Sequence, residues 1–364
     1  MKKLIFLVIA FLLFPFFVIN ASAYDDSDAE IIASEAQADK LSSEYLTREE
    51  ASGDRRINIF EKAYAIFRDS LNSQGIPILR SFGGILALIT LCAAMNAMKF
   101  GESLPLDTAC GYISVLALSG VSYSVFYNLF ISVIACMESL TLTVSSLMPI
   151  MSSLYVFGGS PSVAVANNSA LLLFLSVISL LCTKILLPLL RVLFALCLVG
   201  AMPSGVNLSP ITNLVKSTAN VLMSFMFTLV GFVLYFQTAI AKAGDGFAMK
   251  SLRFASGVFV PVIGNMLGDA ASTVVASVSV VKGCVGGVGV VMIIAAILPA
   301  VLSVLLHRLM LSCCAAIAKV LSCERESLFL NDLSGVLGLL FSLLLGSGAV
   351  SIIALAVFLR TGGA

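Results

Sequence analysis

Asp245, Lys250, Arg253, Asp269 and Lys282 are the residues whose type and setting could do chemistry in this chain. They recur inside an otherwise apolar stretch, GDGFAMKSLRFASGVFVPVIGNMLGDAASTVVASVSVVKGCVGGVG, from Gly244 to Gly289. A charge placed in hydrocarbon costs about 3 kcal/mol even on the lenient insertion scale, so each needs a partner, a hydrated path or a place outside the membrane. Pro261 can break a helix, and Gly264 and Gly268 form a G-x-x-x-G step that lets two helix backbones approach closely. Beyond the break the spacing predicts a helix. Asp269, Ser272, Ala276, Ser279 and Gly283 make one small, polar stripe on it, and Val274, Val278, Val281 and Val285 an apolar one. Two readings of the polar stripe stand side by side: a tight helix interface, or a hydrated path or partner site faced by Asp269 and Lys282. Thirteen residues of helix cover about 20 Å, so those two charges cannot pair with each other along one straight helix.

The elements that hold this stretch are membrane helices. With 364 residues, 59% hydrophobic, 11% charged and a mean hydropathy of +1.07, the chain has too little polar surface to dress a soluble globule. The expected fold is all-α and polytopic, with six to eight transmembrane or re-entrant helices. Tryptophan is absent, so the aromatic belt that marks span ends is weak. The formal net charge of +1 conceals an acidic segment: residues 24–75 hold twelve acids and six bases, and the rest of the mature chain is positive. Nucleic acid is not an expected partner; membrane lipid is.

Lys2 and Lys3, an apolar core from Leu4 to Ile19 and the small-x-small pattern Ala21-Ser22-Ala23 read as a signal peptide, residues 1–23. Residues 24–75 then form an acidic extracytoplasmic segment, and residues 76–364 the membrane domain. Within the acidic segment Ile57, Phe60, Tyr64, Phe67 and Leu71 recur at helical spacing, which predicts an amphipathic helix over Arg55–Ser73 that lies on the membrane or docks on a partner. Ile78–Met98 is the first span, entered through Gly75 and Pro77. Ala109–Cys136 is the second, and Met137–Gly159, rich in Ser, Thr and Met, reads as re-entrant or interfacial. Val163–Met202 is long enough to cross twice, divided by Lys184, Pro188 and Arg191 into a tight pair of helices, with one long kinked helix as the alternative. Val206–Ala241, Gly286–Leu306 and Gly335–Leu359 are further spans. Met310–Leu321 reads as a short interfacial piece, and Glu324, Arg325, Glu326 and Asp332 as a polar connection.

No enzyme chemistry is encoded in a recognisable form. The cluster Gly283, Gly286, Gly287 and Gly289 lacks the Gly-Lys-Ser/Thr of a phosphate-binding loop and serves packing. One histidine, His307, beside Arg308 at the end of an apolar run, reads as interfacial. The nine cysteines lie in or beside apolar runs and imply neither a disulfide framework nor a metal site. No catalytic residue and no cofactor is expected. Two function classes remain: a subunit of a channel or export assembly, which the acidic outward segment favours, or a stand-alone permease for small solutes.

The run from Lys242 to Gly289, with DGFAMKSLRFA, FVPVIGNMLGDAASTV and VKGCVGGVG in order, resembles the stage III sporulation protein AE family of endospore-forming bacteria. Matching positions are Asp245, Gly246, Lys250, Pro261, Gly264, Asp269, Lys282, Gly283 and Gly287; Asn265 stands where the family pattern leads one to expect glycine. The resemblance implies a membrane component of the assembly that links mother cell and forespore. Its partners would be the other membrane proteins of the same operon and, indirectly, stage II sporulation protein Q. It further implies a multi-pass place in the mother-cell-derived membrane around the forespore, with the mature N-terminus extracytoplasmic.

Overall fold

The computed structural model describes residues 59–97, 104–157, 177–201 apart from 179, 263–360 and, with gaps, 208–235; over 263–284 the description is of the backbone. Every extended element among these residues is a helix, and five of them are long and apolar enough to cross a membrane. The chain is an all-α polytopic membrane protein. We number the helices α1 (Ile59–Ala97), α2 (Leu104–Phe157), α3 (Leu187–Ala201), α4 (residues 210–228), α5 (Ile263–Val320) and α6 (Glu324–Arg360). A π-helical segment, Leu180–Leu186, leads directly into α3.

Helix α5 is the hub. It packs most extensively against α6, then α1, then α2. Between residues 285 and 307 none of its side chains is exposed, as expected of a helix apolar on all faces. Cross-helix contacts fix the directions. Ile66 and Gln74 of α1 meet Val291, Ala295 and Pro299 of α5 in ascending order, so these two helices run parallel. Leu147 of α2 and Leu355 of α6 both meet Gly289, while Ser114 meets Glu326 at the other end. Phe126 of α2 stacks on Phe194 of α3 with centroids 4.3 Å apart, and Arg191 lies 5.7 Å from the Phe130 ring centroid, so α3 descends beside α2. Residues 216 and 227 of α4 meet Gly335 and Gly346 of α6. The six helices therefore alternate in direction.

Several sequence boundaries dissolve in this architecture. The amphipathic segment and the first span are one helix, because α1 continues through Gly75 and Pro77. Met137–Gly159 is no separate re-entrant piece as far as Phe157; it prolongs α2 through Pro149. Lys184, Pro188 and Arg191 do not divide a helical pair, since the chain stays helical from Leu180 to Ala201 and the π segment absorbs the irregularity. Met310–Leu321 is the end of α5, which passes Pro299 unbroken. Proline leaves the Ala295 carbonyl without its helical donor; nearby, Gln74 Nε2 donates to the Pro299 carbonyl at 3.0 Å and Cys136 Sγ to that of Ala296 at 3.4 Å.

The polar connection before α6 is shorter than the sequence implies. Helix α5 closes with Ser322 in the left-handed region, φ 61°. The Ser322 amide donates to Lys319 O at 3.1 Å and the Cys323 amide to Ala318 O at 2.9 Å, the paired bonds of a Schellman cap. Glu324, Arg325, Glu326 and Asp332 then all belong to α6.

Candidate functional site: the inner face of the hub helix and its turn

The charged residues singled out in the sequence divide into two groups. Asp245, Lys250 and Arg253, together with Pro261, lie outside the described residues. Asp269 and Lys282 both lie on α5, together with Gly264, Gly268 and Gly283. Because α5 is continuous across this stretch, Asp269 and Lys282 stand about 20 Å apart along it, at 1.5 Å per residue. The fold does not bring them together.

The glycine cluster does mark a contact. Gly287 is half-buried and Gly289 fully buried, where α2 and α6 converge on α5. A Cβ at Gly289 would stand 2.8 Å from Leu355 Cδ2 and 2.9 Å from Leu147 Cδ1, so three helices meet there only because position 289 has no side chain. Two turns along, Gly348 accepts Ile297 Cδ1 at 2.6 Å from the same hypothetical position, and Gly346 receives the Phe227 ring of α4. These contacts hold α2, α4, α5 and α6 in register.

At the opposite end the structure assembles polar side chains whose partners the sequence leaves unpaired. Glu326, in the first turn of α6, is buried, and Ser114 Oγ of α2 donates to its Oε1 at 2.7 Å. The Cys92 thiol lies within electrostatic reach of Glu326 and of Cys323. Arg325 Nη1 lies 3.2 Å from where a Cβ of Gly111 would be, so the glycine leaves room for the guanidinium. Ser327 Oγ donates to Ala315 O at 2.8 Å, and Ser312 and Ser334 share a bond of 2.8 Å. Two to three turns along α6, Lys216 Nζ of α4 lies 3.3 Å from where a Cβ of Gly335 would be and is within electrostatic reach of Asp332. A buried carboxylate held by a hydroxyl is a clasp between helices. Among the described residues no three metal-ligating side chains come together.

A family model described as stage III sporulation protein AE matches residues 53–362, which takes in every helix above. The chain belongs to that family. A relative described as stage III sporulation protein AE from Bacillus subtilis (strain 168) is 25% identical over 247 residues. The aligned stretch covers 67% of this chain and 61% of the relative, so the chain matches about three fifths of that protein's length. No solved structure matches. Asp269, Lys282, Gly289, Ser114 and Glu326 all fall within the matched residues. Glu326 and Ser114 would be hard to find by sequence reasoning, because Ser114 sits in an apolar run and Glu326 in a cluster of charges that reads as a solvated loop.

Proposed function

We propose that this member of the stage III sporulation protein AE family is a non-catalytic membrane subunit of the channel or secretion-like assembly that links mother cell and forespore. In this reading it stands in the mother-cell-derived membrane around the forespore, needed for forespore development. Its leader is removed after Ala23, and the acidic segment that follows faces away from the cytoplasm. The observation that carries the reading is the family match over residues 53–362, the whole helical body. The bundle supports it physically. A hub helix enclosed by its neighbours, with close glycine contacts and a buried carboxylate clasp, suits a rigid anchoring subunit. Its partners in this reading are the other membrane proteins of the same operon and, indirectly, stage II sporulation protein Q.

A stand-alone solute permease is the second reading, favoured by Asp269 and Lys282 on an apolar helix. Purification of the full chain from sporulating cells in mild detergent separates the two. Co-isolation with the sibling membrane proteins is the expected result; a solitary particle that binds a small solute would overturn the assembly reading.

A further inference from the structure

Two cations flank one strip of α6. Gly335 and Gly346 face α4, where Lys216 and Phe227 lie against them, and Gly348 faces α5, where Ile297 does. At about 100° per residue, Gly338 falls midway between these two faces. The exposed residues Asn331, Ser342, Leu345 and Ala349 fall on the same side, so among the described residues the strip between α4 and α5 is open. Lys216 Nζ stands 3.3 Å from where a Cβ of Gly335 would be. Arg308 of α5 lays its guanidinium across Gly338, with Cζ 3.2 Å and Nη2 3.4 Å from the corresponding point. Glycines three residues apart set those two points about 5–6 Å from each other, so the charges are at most about 12 Å apart.

Neither charge is matched. Among the described residues neither Lys216 nor Arg308 forms an ion pair. Asp332 comes within electrostatic reach of Lys216 without pairing with it, and His307, beside Arg308, is bonded to the Ser303 carbonyl at 2.8 Å. Two cations against one acid leave the cluster positive. The sequence sets its level. No Asp, Glu, Lys or Arg stands between Lys216 and Lys242, between Lys282 and Arg308, or between Asp332 and Arg360. The polar and apolar parts of α4, α5 and α6 therefore meet where the two cations stand, and the open strip runs from Asn331 on the polar side to Leu345 and Ala349 on the apolar one.

We infer that the strip between α4 and α5 binds an anionic phospholipid, its phosphate held between Lys216 and Arg308 and an acyl chain laid along Leu345 and Ala349. A phosphate takes charge-assisted bonds of about 2.8 Å on either side, and a small swing of the flexible lysine end closes the rest of the gap. Arg308 supplies a fork of donors and Lys216 a point charge, both suited to phosphate oxygens. A basic pocket between membrane helices is the general form of a site for an anionic head group. A free phosphate would meet the same two cations, but it would make no use of the uncharged strip beyond Ser342.

The test uses the full chain without partner proteins, delipidated in a neutral detergent. Phosphatidylglycerol, phosphatidylcholine or inorganic phosphate is added, and bound molecules are counted by native mass spectrometry. Phosphatidylglycerol held about ten-fold tighter than phosphatidylcholine is the expected result. That preference should vanish in Lys216→Gln/Arg308→Gln and persist in Lys184→Gln/Lys319→Gln, which removes two exposed charges elsewhere. Equal binding of the two lipids by the parent, or equal losses in the two double variants, overturns the site. Displacement of the lipid by millimolar inorganic phosphate gives the cations to a free anion and overturns the lipid assignment. Should Lys216→Gln/Arg308→Gln fail to accumulate, two single variants decide. Arg308→Lys should keep most of the preference and Lys216→Gln should lose part of it; an unchanged preference in Lys216→Gln, or a greater loss in Arg308→Lys, overturns the inference.

Discussion

Substitution at Gly289 is the most direct test of how the hub is held. A Cβ there would meet Leu355 Cδ2 at 2.8 Å and Leu147 Cδ1 at 2.9 Å. Carbon atoms rest at about 3.5–4.0 Å, so two leucine tips on two different helices must each withdraw by roughly 0.6 Å or more. Leucine ends are flexible, but both residues are buried in the main core and move only by displacing others. Overpacking of that kind costs about 1–3 kcal/mol, and alanine recovers about 1 kcal/mol of helix propensity over glycine. Gly289→Ala should therefore lose about 0–2 kcal/mol. Gly289→Val adds two further methyl groups and a stiff β-branch, and should lose about 2–4 kcal/mol. Gly84 on α1 is the control: nothing lies within 4 Å of its hypothetical Cβ, so Gly84→Ala should gain up to about 1 kcal/mol. Reversible unfolding of the purified chain in mixed detergent micelles, followed by circular dichroism, ranks the four proteins. Gly289→Val unfolding at the parent's midpoint, or Gly84→Ala falling below Gly289→Ala, would refute the reasoning.

Four further outcomes are expected. Ser114→Ala leaves the buried Glu326 carboxylate short of a donor and should cost about 1–3 kcal/mol in the same unfolding measurement; in Glu326→Gln the loss from Ser114→Ala should shrink, and equal losses in both backgrounds would exclude the clasp. Gln74→Leu removes the bond to Pro299 but also removes a buried Oε1 that has no partner among the described residues, so the net change should stay under about 1 kcal/mol, and a larger loss would mean that the bond dominates. Ser322→Gly relieves a left-handed backbone at the α5 cap and should raise stability by about 1 kcal/mol, with any loss counting against the cap. Asp269→Asn and Lys282→Gln should block spore formation at normal membrane abundance if a hydrated path or partner needs the charges; normal sporulation by both would leave the stripe as a helix interface.

Much of the fold was legible because hydropathy and helical spacing are local, and what was not legible depends on residues far apart in the chain. Pro77 reads as the entry to a span and Pro188 as part of a divider, yet both, like Pro149 and Pro299, lie within a continuous helical run. Near Pro299, Gln74 and Cys136 reach the carbonyls of Pro299 and Ala296 from two other helices. The α1 stripe Phe60, Tyr64, Phe67 and Leu71 is helical as its spacing predicts, but it is not the inward face over these turns. Ile66, Ser70 and Gln74 face α5 instead, and two of those three are polar. The G-x-x-x-G step at Gly264 and Gly268 is a local signature of close packing, whereas Gly289, Gly346 and Gly348 are close contacts only because Leu147, Leu355, Phe227 and Ile297 arrive opposite them. Glu326 is the sharpest case. Within its own neighbourhood of Glu324 and Arg325 it has every mark of a solvated charge, and only the return of α2 buries it.

Hydropathy by itself also misplaces the membrane. The most apolar of the long helices, α5 over Val285–Val320, is largely enclosed by its neighbours, and α1, with four charges in its first three turns, presents far more exposed apolar surface. Both facts follow from length. At 1.5 Å per residue α2 and α5 extend about 80 Å and 87 Å, while the hydrocarbon layer is about 30 Å thick. Most of each helix must therefore lie outside hydrocarbon, in protein contact or in water. An apolar helix can continue beyond the bilayer only where neighbours sheathe it, and α1, α2 and α6 do this for α5. The cost falls on the sheathing helix: α1 turns Ile66 and Gln74 inward to cover the hub and leaves Phe60 and Tyr64 facing outward.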